Sequence, residues 1–103
     1  MTTNELTQSA LKLLTVHGFT VWRTNAGMAS YRGSVVRLAP VGTPDIIGYG
    51  PGGRFVGIEV KTGRDQLREA QKAWREKAAD GGAFVAEVHE LDDVQRAIER
   101  YRR

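Results

Sequence analysis

Apolar residues recur at helical spacing near the start of the chain, at Leu6, Ala10, Leu13 and Leu14, and the pattern stops at Gly18. Thr2 and Glu5 precede that stripe with the spacing of a capping box, so the first element is an amphipathic helix. Aromatic and β-branched residues dominate residues 19–24, which predicts a strand. The next stretch holds Asn25, Gly27, Ser30 and Gly33 and reads as a polar loop. Residues 35–38 form a short extended candidate, and residues 45–49, entered through Gly42, Thr43 and Pro44, form a further strand. Pro51, Gly52 and Gly53 turn the chain into residues 54–61, and the two runs predict an antiparallel hairpin. A phosphate-cradling loop would need a helix directly after those glycines.

Leu67, Ala70, Trp74 and Ala78 then place one apolar stripe on a helix that Gly81 and Gly82 terminate. Residues 83–88 predict a strand. Leu91, Val94, Ala97, Ile98 and Tyr101 give a closing amphipathic helix, with Asp92 and Asp93 at its electrostatically favoured N-terminal end. The order is α, β, β, β, α, β, α, to which residues 35–38 add an optional short strand. No repeat or linker interrupts it, and 103 residues suit one domain. The expected class is α/β, a central sheet flanked by helices.

Composition narrows the chemistry. The chain is 41% hydrophobic and 26% charged, as in ordinary globular proteins. It has no cysteine, which excludes disulfides, thiolate zinc sites and cysteine nucleophiles. Apolar runs fall short of the roughly 18 residues of a membrane span, so an intracellular, soluble protein is expected. The formal charge of +3 suits a polyanionic partner. Arg96, Arg100, Arg102 and Arg103 end the last helix, and Arg23, Arg32, Arg37 and Arg54 surround the central segments. Such arginines fit either a solvated basic surface or a phosphate-binding one. His17 and His89 have no metal-ligand spacing and read as a helix end and a loop residue. Trp22 and Trp74 are expected as core anchors rather than base-stacking platforms.

Chemistry concentrates in residues 54–61. Period-2 alternation puts Val56, Ile58 and Val60 on one face and Phe55, Gly57, Glu59 and Lys61 on the other. Gly57 either leaves room for a ligand beside Glu59 or marks a bulge or close packing. Asp45 opens the neighbouring hairpin strand, and antiparallel pairing can bring it to the end of the sheet where Glu59 and Lys61 lie. Two converging carboxylates repel, and a hard divalent cation such as magnesium relieves that repulsion. Such an ion polarises a phosphate and acidifies water, while Lys61 orients the water or neutralises charge.

Pro44-Asp45 followed by Glu59-Val60-Lys61 resembles the PD-(D/E)xK signature of the restriction-endonuclease-like nucleases. Arg23, Asn25, Gly27, the run Gly42-Thr43-Pro44-Asp45, the Glu59-Val60-Lys61 triplet, Gln71 and Trp74 together resemble the VRR-NUC nuclease family over nearly the whole chain. That resemblance implies a restriction-endonuclease-like core, αβββαβ with a C-terminal helix and a mixed sheet. It implies that Asp45, Glu59 and the carbonyl of Val60 hold Mg2+, with Mn2+ able to substitute, and that Lys61 assists the nucleophilic water. It adds Glu5 and Gln71 to the site, although Glu5 has a competing role in the helix cap and Gln71 can equally flank the core stripe. Arg23 and Asn25 become DNA contacts or an exposed strand end. The implied activity is endonucleolytic cleavage of DNA, first of all of a four-way junction by a homodimer. The alternatives are a nicking or restriction-type nuclease on duplex or flap DNA, and a DNA-binding module without catalysis. Stand-alone members of the resembled family are often viral or bacterial, which sets the expected origin.

Overall fold

The computed structural model describes residues 1–24 and 28–103. Asn25 and Gly27, expected near the site, lie outside the described residues. Among the described residues nine elements follow one another: α1 (Thr3–Val16), β1 (Thr20–Arg23), β2 (Met28–Tyr31), β3 (Ser34–Arg37), β4 (Ile46–Tyr49), β5 (Phe55–Val60), α2 (Glu69–Asp80), β6 (Phe84–Val88) and α3 (Leu91–Tyr101). Four strands form a mixed sheet in the order β1-β4-β5-β6. The tight turn after Tyr49 makes β4 and β5 antiparallel, whereas β5 and β6 are parallel and need the crossover that α2 supplies.

Sheet pleating sorts the side chains into two layers. Val56, Ile58 and Val60 of β5 share a face with Ile46, Phe84, Ala86 and Val88, and this face joins Leu6, Ala10 and Leu14 of α1 and Val94, Ala97 and Ile98 of α3 in one buried core. The capping box starts α1 as the sequence predicts, with the Glu5 amide donating to Thr2 Oγ1 and the Thr2 amide donating to Glu5 Oε1, each at 3.1 Å. Tyr101 closes the far end of this layer, packing edge-on against Phe19 and Phe84.

The opposite face carries α2 over its β5–β6 half. Here Gly57 is explained by close packing: a Cβ built on it would lie 2.9 Å from the Trp74 ring and 3.1 Å from Pro44 Cγ. Of the two readings of Gly57, close packing holds and ligand space does not, because the indole occupies that space. The other half of that face is open, so Trp22 is 51% exposed and not the core anchor its size suggests. Trp74 does take the anchoring role, half-buried and tilted against Phe55 at 6.1 Å between ring centroids.

Two features depart from the sequence pattern. Residues 28–31 form a strand where a loop is expected, pairing with β3 as a separate two-stranded ribbon. Met-Ala-Ser-Tyr carries little strand propensity by itself, and the pairing comes from the turn at Arg32-Gly33, where φ is 51° and 80°. Positive φ at both central residues defines the tight turn that suits a twisted hairpin. Glycine accepts this freely, but an arginine there costs about 1 kcal/mol or more. Among the described residues β2 and β3 pack chiefly on each other, and the radius of gyration of 13.9 Å exceeds the roughly 13 Å of a compact chain of this length.

The second feature is the use of arginine around the rim of the core. Arg54 Nε donates to the Gly82 carbonyl at 2.8 Å and its guanidinium lies over the Phe84 and Tyr101 rings. Arg100 Nη2 donates to the Val85 carbonyl of β6 at 2.8 Å. No helix among the described residues is long and apolar enough to cross a membrane.

Because the Trp74 ring fills the space above Gly57, Gly57→Ala is expected to overpack the α2 layer and lower stability by about 1–3 kcal/mol. Chemical unfolding measures this, and a variant as stable as the parent would contradict the packing.

Candidate active site

Strand register assembles the site. Ile46 stands opposite Ile58, so one step further along the strands Asp45 stands opposite Glu59, and parallel pairing sets Glu59 beside Glu87 of β6. On the other side of Asp45, Thr24 continues the row: its amide donates to the Asp45 carbonyl at 2.8 Å. Thr24, Asp45, Glu59 and Glu87 thus form one lateral row on the α2 side of the sheet. Pro44 aids this placement, since it fixes an extended entry into β4 and its carbonyl accepts from the Thr24 hydroxyl.

Each central carboxylate is held. Asp45 Oδ2 accepts from the Val60 amide at 2.7 Å, which ties the start of β4 to the end of β5. Glu59 is 5% exposed, and its Oε1 accepts from Gln71 Nε2 at 3.1 Å. Gln71 is oriented in turn, because its Oε1 accepts from the Arg68 amide at 2.8 Å at the start of α2, leaving only the NH2 end to face Glu59. Gln71 therefore bonds Glu59 as well as capping α2. A cleft of about 250 Å³ opens here, lined by Gly42, Thr43, Asp45, Arg68 and Gln71 among others. A groove of about 410 Å³ elsewhere, between β6 and α3, is lined by Glu87 and Asp93 together with Arg96 and Arg100, which are already engaged by protein partners, and Asp45 does not line it.

The electrostatics follow from this crowding. Burial, and then Asp45 through a hydrogen bond and through its charge, push Glu59 up to about 8 from its ordinary 4.5. Lys61 opposes the shift and Glu87 adds to it, which sets the Lys61 ammonium within electrostatic reach of Glu59.

The remaining candidates divide. Glu5 is exposed and its carboxylate caps α1; its pKa is lowered by hydrogen bonds to the Thr2 backbone and side chain. Among the described residues no group of three or more carboxylate, histidine or cysteine side chains is arranged to hold a metal, so Glu5 does not join Asp45 and Glu59. Arg23 is paired with Ile46, one step from the carboxylate row and thus on the other face, and its guanidinium donates to Asn4 of α1. Val60 contributes its amide to Asp45, as described.

Sequence reasoning missed Glu87, which faces Glu59 across parallel strands and is itself paired with Arg75 at 3.5 Å and His89 at 3.0 Å. Alternation in residues 83–88 marks Glu87 as polar-facing, but sequence does not say which strand lies beside β5. Thr24 was missed for the same reason.

No family model matches the chain, and no curated protein matches it. Among solved structures, one titled "VRR_NUC domain" superposes with a TM-score of 0.70 at 24% identity, covering 98% of this chain and 99% of that one. The chain thus has the fold of that VRR_NUC domain.

A carboxyl raised from 4.5 to about 8 in the folded state takes up a proton on folding. Its contribution to stability is complete below its unfolded range and is lost as pH rises through about 8. In metal-free buffer the melting temperature should fall over that window, and Glu59→Gln, which stays neutral, should flatten the fall and exceed the parent at pH about 9. Parallel pH curves for the two proteins would contradict the buried carboxyl pair.

Proposed function

We propose that the chain is a divalent-metal-dependent DNA endonuclease acting on branched DNA, with the four-way junction as its first substrate. The observation that carries this reading is the pair Asp45 and Glu59, aligned by strand register, held by the Val60 amide and Gln71, and set in the fold of a VRR_NUC domain.

The donor set suits Mg2+ or Mn2+. Two adjacent carboxylates, one of them driven toward its protonated form by burial and then by the other, form a site that a cation would relieve, and magnesium commonly takes one or two carboxylates while keeping several waters. Asp45, Glu59 and the carbonyl of Val60 would hold it, and a third acidic ligand such as Glu5 is not required. When bound, the ion supplies positive charge against the scissile phosphate and makes water more acidic.

The chain's own groups do the rest. Lys61, the next residue but one on the Glu59 face, orients the attacking water and offsets the negative charge that builds on the phosphate oxygens. Gln71 keeps Glu59 turned toward Asp45 by holding one oxygen from the side of α2. The Val60 amide does the same for Asp45, so both carboxylates are positioned before any ligand arrives. Retention of the complete Asp45, Glu59 and Lys61 set favours catalysis over a DNA-binding module that has lost it.

One chain offers one such centre, whereas a four-way junction needs two symmetric nicks. A two-fold homodimer supplies both centres and is the commonest closed assembly.

Asp45→Asn and Glu59→Gln are expected to lower the magnesium-dependent cleavage rate on the order of 100- to 1000-fold or more while DNA binding survives. Calcium should permit binding with little turnover, because its larger, looser shell positions water poorly. Cleavage of a labelled junction by either variant at the parent rate would remove the assignment. A panel of junction, flap, nicked, single-stranded and linear DNAs tests the substrate. Junctions should give paired nicks, and ultracentrifugation should give twice the chain mass at micromolar concentration. A monomer that cuts flaps or linear duplex better would replace the four-way-junction reading with the duplex or flap nuclease one.

A further inference from the structure

The β2–β3 ribbon stands apart from the main sheet, yet it is attached at the candidate site. The chain enters it from Thr24, whose amide and hydroxyl hold the carbonyls of Asp45 and Pro44, and leaves it toward Pro44 and Asp45. Both connections of the ribbon thus run, in sequence, to the Thr24–Asp45 pair.

Three observations point to a polyanion as its occupant. Residues 24–44 contain Arg32 and Arg37 and not one aspartate or glutamate, in a chain with 12 acidic residues. The tip places Arg32 in a left-handed turn at φ 51°, a position that asparagine or glycine fills at lower cost. That guanidinium lies 5.4 Å from the Tyr31 ring and has no carboxylate partner among the described residues. By contrast Arg54, Arg96, Arg100 and Arg102, which make the basic surface suggestive in the sequence, are bonded to carbonyls, carboxylates or His17.

The shape fits as well. A two-stranded ribbon enters the major groove of duplex DNA. Tyr31 on one face of the ribbon is 63% exposed and Val35 on the other is 71% exposed, so both faces carry an apolar side chain that the described residues leave largely uncovered. An isolated hairpin in water is marginal, and a groove would supply the missing contact.

We propose that the β2–β3 ribbon is a DNA-gripping arm, with Arg32 at its tip contacting the phosphate backbone of the duplex whose scissile phosphate lies at Asp45 and Glu59. The inference rests on the nuclease reading for the identity of the ligand. From Met28 to Tyr31 the arm extends roughly 10 Å, about three nucleotides along one strand. It grips beside the cut rather than at it.

The test is fluorescence anisotropy with a labelled four-way junction and a labelled linear duplex, in calcium and across a salt series. Arg32→Asn suits the turn better than the native residue, so its melting temperature should equal or exceed the parent's. Its dissociation constant should rise about threefold to tenfold, with the slope of log affinity against log salt shallower by about one. Arg32→Lys should retain most of that slope. Unchanged affinity and slope in Arg32→Asn would overturn the arm while parental cleavage in magnesium leaves the nuclease reading standing. Weakened binding by Arg32→Asn in a protein that never cuts DNA would leave the arm standing and remove the nuclease reading. If Val35→Ser halves the sedimenting mass without altering DNA affinity, the arm grips a second copy of the chain and the proposal falls.

Discussion

Repulsion between two carboxylates is the constraint around which this small domain is organised. Left to themselves, Asp45 and Glu59 would separate or turn to water. Strand pairing denies them that choice, because each lies at the same lateral position on adjacent strands. The buried one responds by holding its proton well past the usual carboxylate range. The groups around the pair then make sense as restraints: the Val60 amide on Asp45, the Gln71 amide on Glu59, and Thr24 bracing the backbone of Asp45. The pair is thereby fixed in place at the cleft that Asp45 and Gln71 line.

The restraints reach into the core. Gln71 can donate to Glu59 only because α2 begins where its own carbonyl oxygen is taken up by the Arg68 amide, and α2 lies on the sheet because Trp74 settles over the bare backbone of Gly57. Side-chain position at the cleft is thus inherited from a contact between an indole and a residue without a side chain. The opposite face, with α1 and α3, provides the bulk of apolar burial and holds the four strands in register.

Much of this was legible in the sequence, and for identifiable reasons. The capping box at Thr2 and Glu5, the 3.6-residue stripes of α1 and α3, and the alternation from Phe55 to Val60 are local patterns with one physical solution each. They fixed the pairing of Asp45 with Glu59 through a short turn. Glu87 was not legible, because its place beside Glu59 depends on a parallel pairing made across the α2 crossover, and nothing local encodes which strand becomes a neighbour. Gly57 was ambiguous for the same reason, as Trp74 reaches it from another element. The β2 strand was hidden by weak propensity, and Trp22 misled because half of one sheet face has no helix to cover it. The arginines were the least readable of all. Charge and spacing do not distinguish a guanidinium bound to a carbonyl from one available to a ligand.

The rim arginines bear on how copies of the chain meet. An outermost strand normally offers its free carbonyls to any extended segment that drifts by, which is how sheets grow between molecules. On β6 that template is interrupted, since Arg100 occupies the Val85 carbonyl and Arg54 covers the approach at Gly82 and Ala83. An incoming strand would have to displace both guanidinium groups from hydrogen bonds and from the rings they lie on. Extension of the sheet on the β6 side therefore carries a cost at Val85 and at the entry to the strand that a bare edge would not impose, and stacking into a fibre, which requires two receptive edges per molecule, is disfavoured at one of them.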